Sequence, residues 1–436
     1  MIKNDILKFD SKYMEDESIS SDQVYGYYPI TGTQLNQPGS ITITIQNGCN
    51  FYQPSESWLE FEGQLESATN VPFTKDSLIS LANNGIMHLF DNIKYLLSST
   101  EIESVFHPGH ASTMIGMVTY PKPYAPGLNQ CWEPDTSDTA DDGNAGFKAR
   151  RNMVITSQPT PLGSFRFAIP LKHIFGFCLD YKSVVYGFTH TIVLNRSSSD
   201  HNALFRKTDD PASNANVQDG KVTLKNLRWM IPRISPSDVA KYDLLKQIKS
   251  KIVLDVGFRM RQAITTSCPE RTNMFTWRLG LRSSPEQPRY ILLAFQTDRN
   301  EQQDQNIAVY DKCGITSAHI LLNNDRYPLN SFEIDFDKNQ FDHIYRDFSS
   351  FTEKFFKVDK IISSTGVDAM DYKSLYPILV FDVKNQHDRL KSGVTDITMK
   401  CTFKANIPPS TVAHAVIISD RKLKFKSDGE KLSVIY

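Results

Sequence analysis

Cysteine is scarce in this sequence, and its spacing excludes the usual cysteine-based sites. The 436-residue chain has six cysteines and no CxxC pair. This wide spacing argues against a zinc knuckle or a dense disulfide framework and suits a reducing compartment. The chain also lacks an uncharged apolar run of the about 18 residues that a membrane span requires, and its charged start does not resemble a signal peptide. We therefore expect a soluble protein without a membrane span, made inside a cell. The cysteines are Cys49, Cys131, Cys178, Cys268, Cys313 and Cys401.

An excess of charge of one sign is lacking as well. Lys and Arg together number 48 and Asp and Glu 49, so the formal net charge is −1. The whole chain therefore has no electrostatic signature of a nucleic-acid binder. One basic stretch near the C-terminus could contact packaged DNA weakly through its charges, although a solvated tail is the favoured interpretation. Its basic residues are Arg421, Lys422, Lys424, Lys426 and Lys431.

Motifs for nucleophilic, phosphate-binding or iron chemistry are missing. The sequence has no GxSxG elbow and no GxxxxGKS or GxxxxGKT loop. None of the ten histidines is followed two residues later by Asp or Glu, as the first iron ligand of a cupin-type oxygenase is. His107 and His110, in HPGH, could share a metal ion, but the favoured prediction is a loop that begins at Pro108–Gly109.

The acidic stretch DTSDTADDG, at 135–143, has the composition of a calcium-binding loop without its spacing. With Asp138 as the first ligand, the third position is Ala140 and the twelfth is Ala149, where such a loop requires oxygen ligands. A solvated acidic loop is the favoured interpretation. Together these absences predict a protein that is not an enzyme and has no catalytic residue, cofactor or metal site.

Alternation with a period of two residues is what the sequence has in abundance. From Thr395 to Phe403 every second residue is Thr, Ile, Met, Cys or Phe, and polar residues fill the gaps. This pattern predicts a strand with one face on a core and the other towards water. Pro408 and Pro409 cannot donate to a strand ladder, so they predict a connection to the next strand. Similar patterns recur in SITITIQ, WLEFEGQLES and KIVLDVGFRM. RYILLAFQT is instead continuously apolar, as a strand buried on both faces would be.

Helices and loops punctuate these strands. Helical periodicity is strong only in segments 235–250 and 341–357, and segment 84–105 is compatible with a short helix leading into a hairpin. Three polar segments, at 121–151, 197–220 and 296–306, predict long surface loops. The result is an all-β chain with a few short helices.

The length and the pattern together predict two β-sandwich domains in tandem, because 436 residues exceed what one core usually holds. The predicted division is an N-terminal arm at 1–38, a first domain at 39–221, a second at 222–421 and a C-terminal tail at 422–436.

Several stretches resemble, in their order, the double jelly-roll major capsid proteins of Polinton/Maverick elements, adintoviruses and related small DNA viruses, including the copies in animal genomes. The resemblance covers about residues 40 to 421. In the first half it rests on WLEFEGQL and NNGIMHLFDNIKYLLSSTEIES. In the second half it rests on LKNLRWMIPRISPS, RYILLAFQTD, ITSAHILLNNDRYPLNSFEIDF, FDHIYRDFSSF, LYPILVFDVKNQHDRLKSGVTDI and NIPPSTVAHAVIISDR.

The resemblance implies that the two domains are eight-stranded antiparallel jelly rolls standing side by side in a capsid subunit. Three copies would form a pseudo-hexagonal capsomer of an icosahedral shell in the virion. Neighbouring capsomers and minor or penton capsid proteins would be the partners. The N-terminal arm, with Tyr25, Tyr27 and Tyr28 as candidate anchors, would become ordered on assembly.

Other classes of protein remain open at this point. A tandem β-sandwich that binds carbohydrate or a receptor, such as a spike or fibre head, would use exposed aromatic residues, and Trp132 is the only tryptophan in a long predicted loop. A cupin-like enzyme is disfavoured by the histidine spacing. A minor capsid or vertex protein usually has one jelly roll, whereas the length here predicts two.

Overall fold

A computed structural model describes residues 18–30, 34–46, 48, 50–69, 72–122, 124–157, 161–207, 218–250, 253–282, 286–330, 333–358, 366–386, 393–427 and 432–436. Within these residues the chain forms two β-barrels, each made of antiparallel sheets that face each other across an apolar core. In this described part no helix is both long and apolar enough to cross a membrane.

The first barrel contains two main sheets. One has the strand order β8-β4-β12-β3-β9, with β1 paired to β12, and the other has the order β2-β10-β6-β7. A small pair, β11-β5, lies beside them. Its strands are β1 (Ile19–Tyr27), β2 (Gly39–Ile45), β3 (Phe51–Tyr52), β4 (Trp58–Ser67), β5 (Ile79–Leu81), β6 (Phe90–Leu97), β7 (Thr100–Phe106), β8 (Ser164–Pro170), β9 (Val185–Tyr186), β10 (His190–Arg196), β11 (Leu204–Arg206) and β12 (Gly220–Pro236).

The second barrel repeats this plan. One sheet has the order β13-β20-β15-β18, with β21 paired to β20, and the other has the order β14-β19-β16-β17. Its strands are β13 (Val253–Ser267), β14 (Met274–Arg282), β15 (Gln287–Thr297), β16 (Ile315–Leu322), β17 (Asp325–Tyr327), β18 (Leu379–Asp382), β19 (Thr395–Phe403), β20 (Thr411–Ser427) and β21 (Leu432–Ile435).

Short helices connect the strands. The helix predicted at 235–250 is α5, and the Ser237 side chain caps it by accepting from the Ala240 N–H. The helix predicted at 341–357 is two helices, α6 and α7, which meet at Ser350. The α-helices are α1 (Pro108–Thr119), α2 (Ala145–Arg151), α3 (Leu171–Ile174), α4 (Gly176–Asp180), α5 (Asp238–Lys249), α6 (Asp342–Ser349), α7 (Phe351–Phe356) and α8 (Ala369–Ser374), with shorter turns at Pro54–Glu56, Gly85–Leu89, Leu128–Gln130, Asn152–Thr156 and His201–Ala203.

The predicted alternation matches the burial of the strands. In β19 the side chains of Thr395, Ile397, Met399, Cys401 and Phe403 are all buried, and those between them are not. The Pro408–Pro409 stretch connects β19 to β20, as predicted. The continuously apolar run at 290–295 is buried on both faces in β15, and the hairpin predicted after the short helix at 85–89 is β6-β7.

The strand pairing differs from the predicted domain division. Strand β12 runs from Gly220 to Pro236 and pairs with β4 and β1, so residues 222–236 belong to the first barrel. Part of the predicted arm is strand β1, and the predicted tail continues β20 to Ser427 and adds β21. The physical reason is that the backbone N–H and C=O groups at a strand edge can pair with any complementary strand. The alternation of apolar and polar residues does not reveal which barrel that partner strand belongs to.

The three predicted surface loops also differ from expectation where the structure describes them. Segment 121–151 contains helix α2 and buried side chains, including Phe147 and Arg150. The Arg299 guanidinium, in segment 296–306, donates to the carboxylate of Asp138 in the first loop (2.8 Å) and to Asp311 (2.7 Å). The buried Gln303 side chain exchanges two hydrogen bonds with the Gly220 backbone. The polar loops thus pack on one another instead of extending into water, and residues 208–217 lie outside the described part.

Candidate assembly surface

The two histidines of HPGH lie at the start of a helix and not in a loop. His107 precedes helix α1, and His110 is buried within it. The His110 ring stacks on His414 of β20 at a centroid distance of 4.0 Å, and His88 approaches it edge-on at 5.0 Å. Burial lowers the pKa of His88 and of His414 to about 3, and that of His110 well below its usual range. Within the described ranges, no three His, Cys, Asp or Glu side chains are placed to hold a metal ion.

Carboxylates of the acidic stretch at 135–143 form ion pairs with arginine side chains of the same chain. Asp135 is buried and accepts from Arg150 at 2.7 Å, and the Asn144 side chain donates to the same oxygen. Asp138 accepts from Arg299 across the boundary between the barrels. These carboxylates therefore serve as structural acceptors for arginine, which the sequence pattern did not indicate.

Trp132 is not available for carbohydrate. Only 5% of its surface is exposed, and its ring packs edge-on against Tyr120 at 4.8 Å and over Gly116 of helix α1. The hypothesis of a carbohydrate-binding spike therefore loses the residue on which it rested. The Pro, Gly and Asp residues of segment 121–151 predict an exposed loop around Trp132. The ring is buried because it packs on helix α1, which these residues do not predict.

The junction between the barrels is closely packed and polar. Glu103 of β7 is buried and accepts from the backbone N–H groups of Phe177 (2.9 Å) and Arg261 (2.8 Å), the latter in the second barrel. Burial raises the pKa of Glu103, against the lowering effect of these donors. The Arg261 guanidinium is itself buried and donates to the backbone oxygens of Lys172 and His173.

Three further contacts bind the barrels together. Arg259 of β13 donates to Asp180 at 2.9 Å through Nε. The backbones cross so closely at Gly176 that an added Cβ would overlap the backbone oxygen of Arg259. The Thr352 hydroxyl donates to the Val118 carbonyl at 2.8 Å. Since buried charges without a partner are costly, this network holds the second barrel at one orientation to the first.

The molecule has two distinct ends along its long strands. Strands β12 and β20 each contain 17 residues, which corresponds to about 55 Å at the usual rise per residue. Both begin where loop 296–306 lies, because Gly220 bonds to Gln303 and the Thr411 hydroxyl lies 3.0 Å from that of Thr297. Both end at helix α5, which links the barrels.

Helix α5 presents an unburied apolar face at this second end. None of its 12 residues is buried, and 75% of Val239 and 68% of Tyr242 is exposed. Its start is held by the Ser237 N–H donating to the Ser18 carbonyl, and its end by the Ser427 hydroxyl donating to the Ile248 carbonyl. We call the exposed apolar residues of α5 and of the strand ends beside it the linker-end surface: Ile19, Val239, Tyr242, Val253 and Leu254.

The tyrosines proposed as arm anchors divide between the interior and the surface. The Tyr27 hydroxyl lies 3.0 Å from that of Tyr52 within the first barrel. Tyr25 stacks under the Arg233 guanidinium, and 56% of Tyr28 is exposed. Strand β1 is therefore already paired within the single chain, and residues 1–17 lie outside the described part.

The linker-end surface is suited to contact with another protein, because its apolar side chains are exposed. An isolated helix of 12 residues is marginal in water, so α5 gains from a partner that covers Val239 and Tyr242. The sequence identified the helix but not its exposure, because Val239 and Tyr242 follow the same spacing as core positions would.

Comparisons with known proteins identify the architecture. A family model described as a double jelly roll-like domain matches residues 79–423. Among curated protein sequences, none matches this chain.

Solved capsid structures have the same fold. A chain of the Sputnik virophage cryo-EM structure superposes with a TM-score of 0.62 at 8% identity, covering 98% of this chain and 91% of that one. The mavirus major capsid protein gives 0.54 at 13% identity over 100% and 94% of the two chains. The Faustovirus major capsid protein gives 0.55 at 8% identity over 97% and 93%. The predicted double jelly roll is thereby confirmed as the fold.

Proposed function

Because this chain belongs to the double jelly roll-like domain family, we propose that it is a major capsid protein, a structural subunit of a viral or virus-like shell and not an enzyme. Support comes from the fold shared with the major capsid proteins of mavirus and Faustovirus. The polar groups at the barrel junction and between the loops serve structural contacts, which suits a protein whose task is mechanical.

The assembled unit in this proposal is a homotrimer with a pseudo-hexagonal outline. Two similar barrels side by side give six barrels in three copies, and the junction of Glu103, Arg261 and Arg259 keeps each pair at a constant angle. The observation that carries the trimer is the linker-end surface, since a helix without any buried residue is incomplete in one subunit. Obligate assemblies typically bury about 2,000 Å² or more at such apolar interfaces.

The finer assignments rest on the resemblance of the sequence. We propose the Polinton/Maverick and adintovirus type, an icosahedral shell and a location in the virion. Neighbouring capsomers and minor or penton capsid proteins are the proposed partners. Lys422, Lys424 and Lys426 are exposed on alternate positions of β20, and they are the residues that would make a weak contact with packaged DNA, whereas Lys431 lies outside the described part.

The test is the solution mass of the purified protein, measured by size-exclusion chromatography with light scattering. We expect a species of three times the chain mass of 49.6 kDa, with hexagonal outlines in negative-stain images. The double variant Val239→Glu/Tyr242→Glu should be monomeric, because it places two carboxylates on the contact face.

A matched control separates the interface from a general effect of charge. The double variant Met274→Glu/Leu329→Glu makes the same chemical change at residues that are 64% and 81% exposed on the second barrel, and it should remain trimeric. A monomeric wild type would overturn the capsomer, and a trimeric Val239→Glu/Tyr242→Glu variant would place the interface elsewhere.

A further inference from the structure

A groove of about 940 Å³ lies between the two barrels, and its charge is opposite to that of the chain. Its lining includes nine Lys or Arg residues and three Asp or Glu residues, whereas the whole protein has a net charge of −1. Helices α3 and α4 of the first barrel form one wall, and strands β13 and β20 with helix α7 of the second barrel form the other. Concentrated positive charge in a concave site attracts anions more strongly than the same charge on a flat surface.

The four arginines of the groove have partners within the protein, and two of them are held by carboxylates. Arg259 holds Asp180, and Arg289 holds Asp420 through both Nε (2.9 Å) and an NH2 group (2.5 Å). These side chains are half-buried and form the walls. The planar guanidinium groups that would recognise a carboxylate bidentately are therefore occupied within the protein.

The lysines of the groove are free or loosely paired. Within the described residues, Lys182, Lys357 and Lys422 are exposed and have no ion-pair partner. Lys354 lies 3.4 Å from Asp347, and Lys172 lies 3.6 Å from Glu56, both at partly exposed positions where pairing contributes little. The groove thus retains a set of ammonium groups whose charge is not neutralised inside the subunit.

The free ammonium groups of the groove are suited to binding phosphate. An ammonium group acts on phosphate as a point charge and needs no fixed fork geometry. An aromatic ring beside the lysines adds a second feature, since Phe356, which is 42% exposed, lines the groove next to Lys357. Rows of basic groups with exposed aromatic rings are typical of sites that bind the backbone and stack the bases of single-stranded nucleic acid.

We propose that this groove binds phosphate groups, either of a nucleic-acid strand or of a free polyphosphate. Lys182, Lys357 and Lys422 make the contacts. The site belongs to one subunit and does not depend on the proposed capsid assembly, so it can be tested whatever the solution mass proves to be.

The test uses the full-length protein and a fluorescein-labelled 12-nucleotide oligo(dT) in fluorescence anisotropy, with inorganic tripolyphosphate as a competitor. The variant Lys182→Gln/Lys357→Gln/Lys422→Gln should bind at least about tenfold more weakly. The slope of log K against log salt should fall by about 2 in this variant, because each phosphate neutralised on a single strand contributes about 0.7 to the slope. The matched control, Lys75→Gln/Lys148→Gln/Lys400→Gln, removes the same charge from exposed lysines outside the groove and should change binding less than twofold.

The variant Phe356→Ala distinguishes the two sources of phosphate. If a nucleic-acid strand is the ligand, Phe356→Ala weakens oligo(dT) binding and leaves tripolyphosphate binding unchanged. If a free polyphosphate is the ligand, tripolyphosphate displaces oligo(dT) completely and Phe356→Ala has no effect on either. Equal losses of affinity in the two lysine variants, absence of saturable binding at 50 mM salt, or binding of a polyglutamate peptide in place of both phosphate ligands would each overturn the proposal.

Discussion

Acidification should weaken this protein steeply, because its central histidines are buried without a charge partner. His88, His110 and His414 form one cluster, and burial holds the pKa of each well below its usual range. In the folded state these rings stay neutral well below the pH at which a free histidine takes up a proton, because burial lowers the pKa of His88 and His414 to about 3 and that of His110 well below its usual range. In the unfolded state they take up protons below a pKa of about 6.5. Their contribution to stability is therefore complete above pH 7.5 and is lost as the pH falls through 6.5.

The size of the loss follows from the number of buried rings. Each such histidine lowers the free energy of unfolding by about 1.4 kcal/mol between pH 7.5 and pH 5.5. The cluster alone therefore accounts for about 4 kcal/mol, which is a large part of the about 5–15 kcal/mol that stabilises a typical protein. His173 and His190, whose pKa burial also lowers to about 3, act in the same direction. The raised pKa of Glu103 acts in the opposite direction, so the cluster is best isolated by substitution.

The assay is urea unfolding at pH 7.5 and pH 5.5 and at one protein concentration, comparing wild type with His414→Phe. The phenyl ring retains the stacked contact with His110 and cannot take up a proton, so the variant should lose about 1.4 kcal/mol less than wild type over this interval. His88→Phe provides a second variant in the same cluster. His343→Gln, at a side chain that is 52% exposed, is the control and should lose as much as wild type. Equal losses for wild type and both cluster variants would refute the reasoning.

Three further substitutions test the packing. Gly176→Ala should prevent the barrels from docking, since its Cβ overlaps the Arg259 backbone oxygen; limited proteolysis should then release separate barrels, and an unchanged digestion pattern would contradict the close approach. Trp132→Ala should lower the free energy of unfolding by about 3–5 kcal/mol, as expected for a buried tryptophan, and a loss below about 1 kcal/mol in urea titration would mean that the ring is exposed. Ser237→Ala removes the cap of α5 and should cost the helix about 1 kcal/mol; hydrogen exchange of residues 238–249 should accelerate, while exchange in β19 serves as the internal reference.

The sequence by itself determined the strands, because the period of two in side-chain direction is a local property of an extended chain. In β19 the residues from Thr395 to Phe403 alternate between buried and less buried positions. In β15 the continuously apolar run at 290–295 is buried on both faces. The proline pair and the capping serine of α5 are equally local, since each acts on backbone groups within a few residues. Several stretches resemble, in their order, those of double jelly-roll capsid proteins. That resemblance predicted two jelly rolls, which the family match confirms.

Only the tertiary structure decided which distant residues meet. Arg299 reaches Asp138, and His414 reaches His110, because closing two barrels brings together segments that are more than 150 positions apart. For the same reason Trp132 is covered, β12 belongs to the first barrel, and the lysines of three separate segments line one groove. Residue spacing reports the direction of a side chain along its own element. Another part of the chain supplies the groups that lie in that direction. In helix α5, however, Val239 and Tyr242 remain 75% and 68% exposed among the described residues.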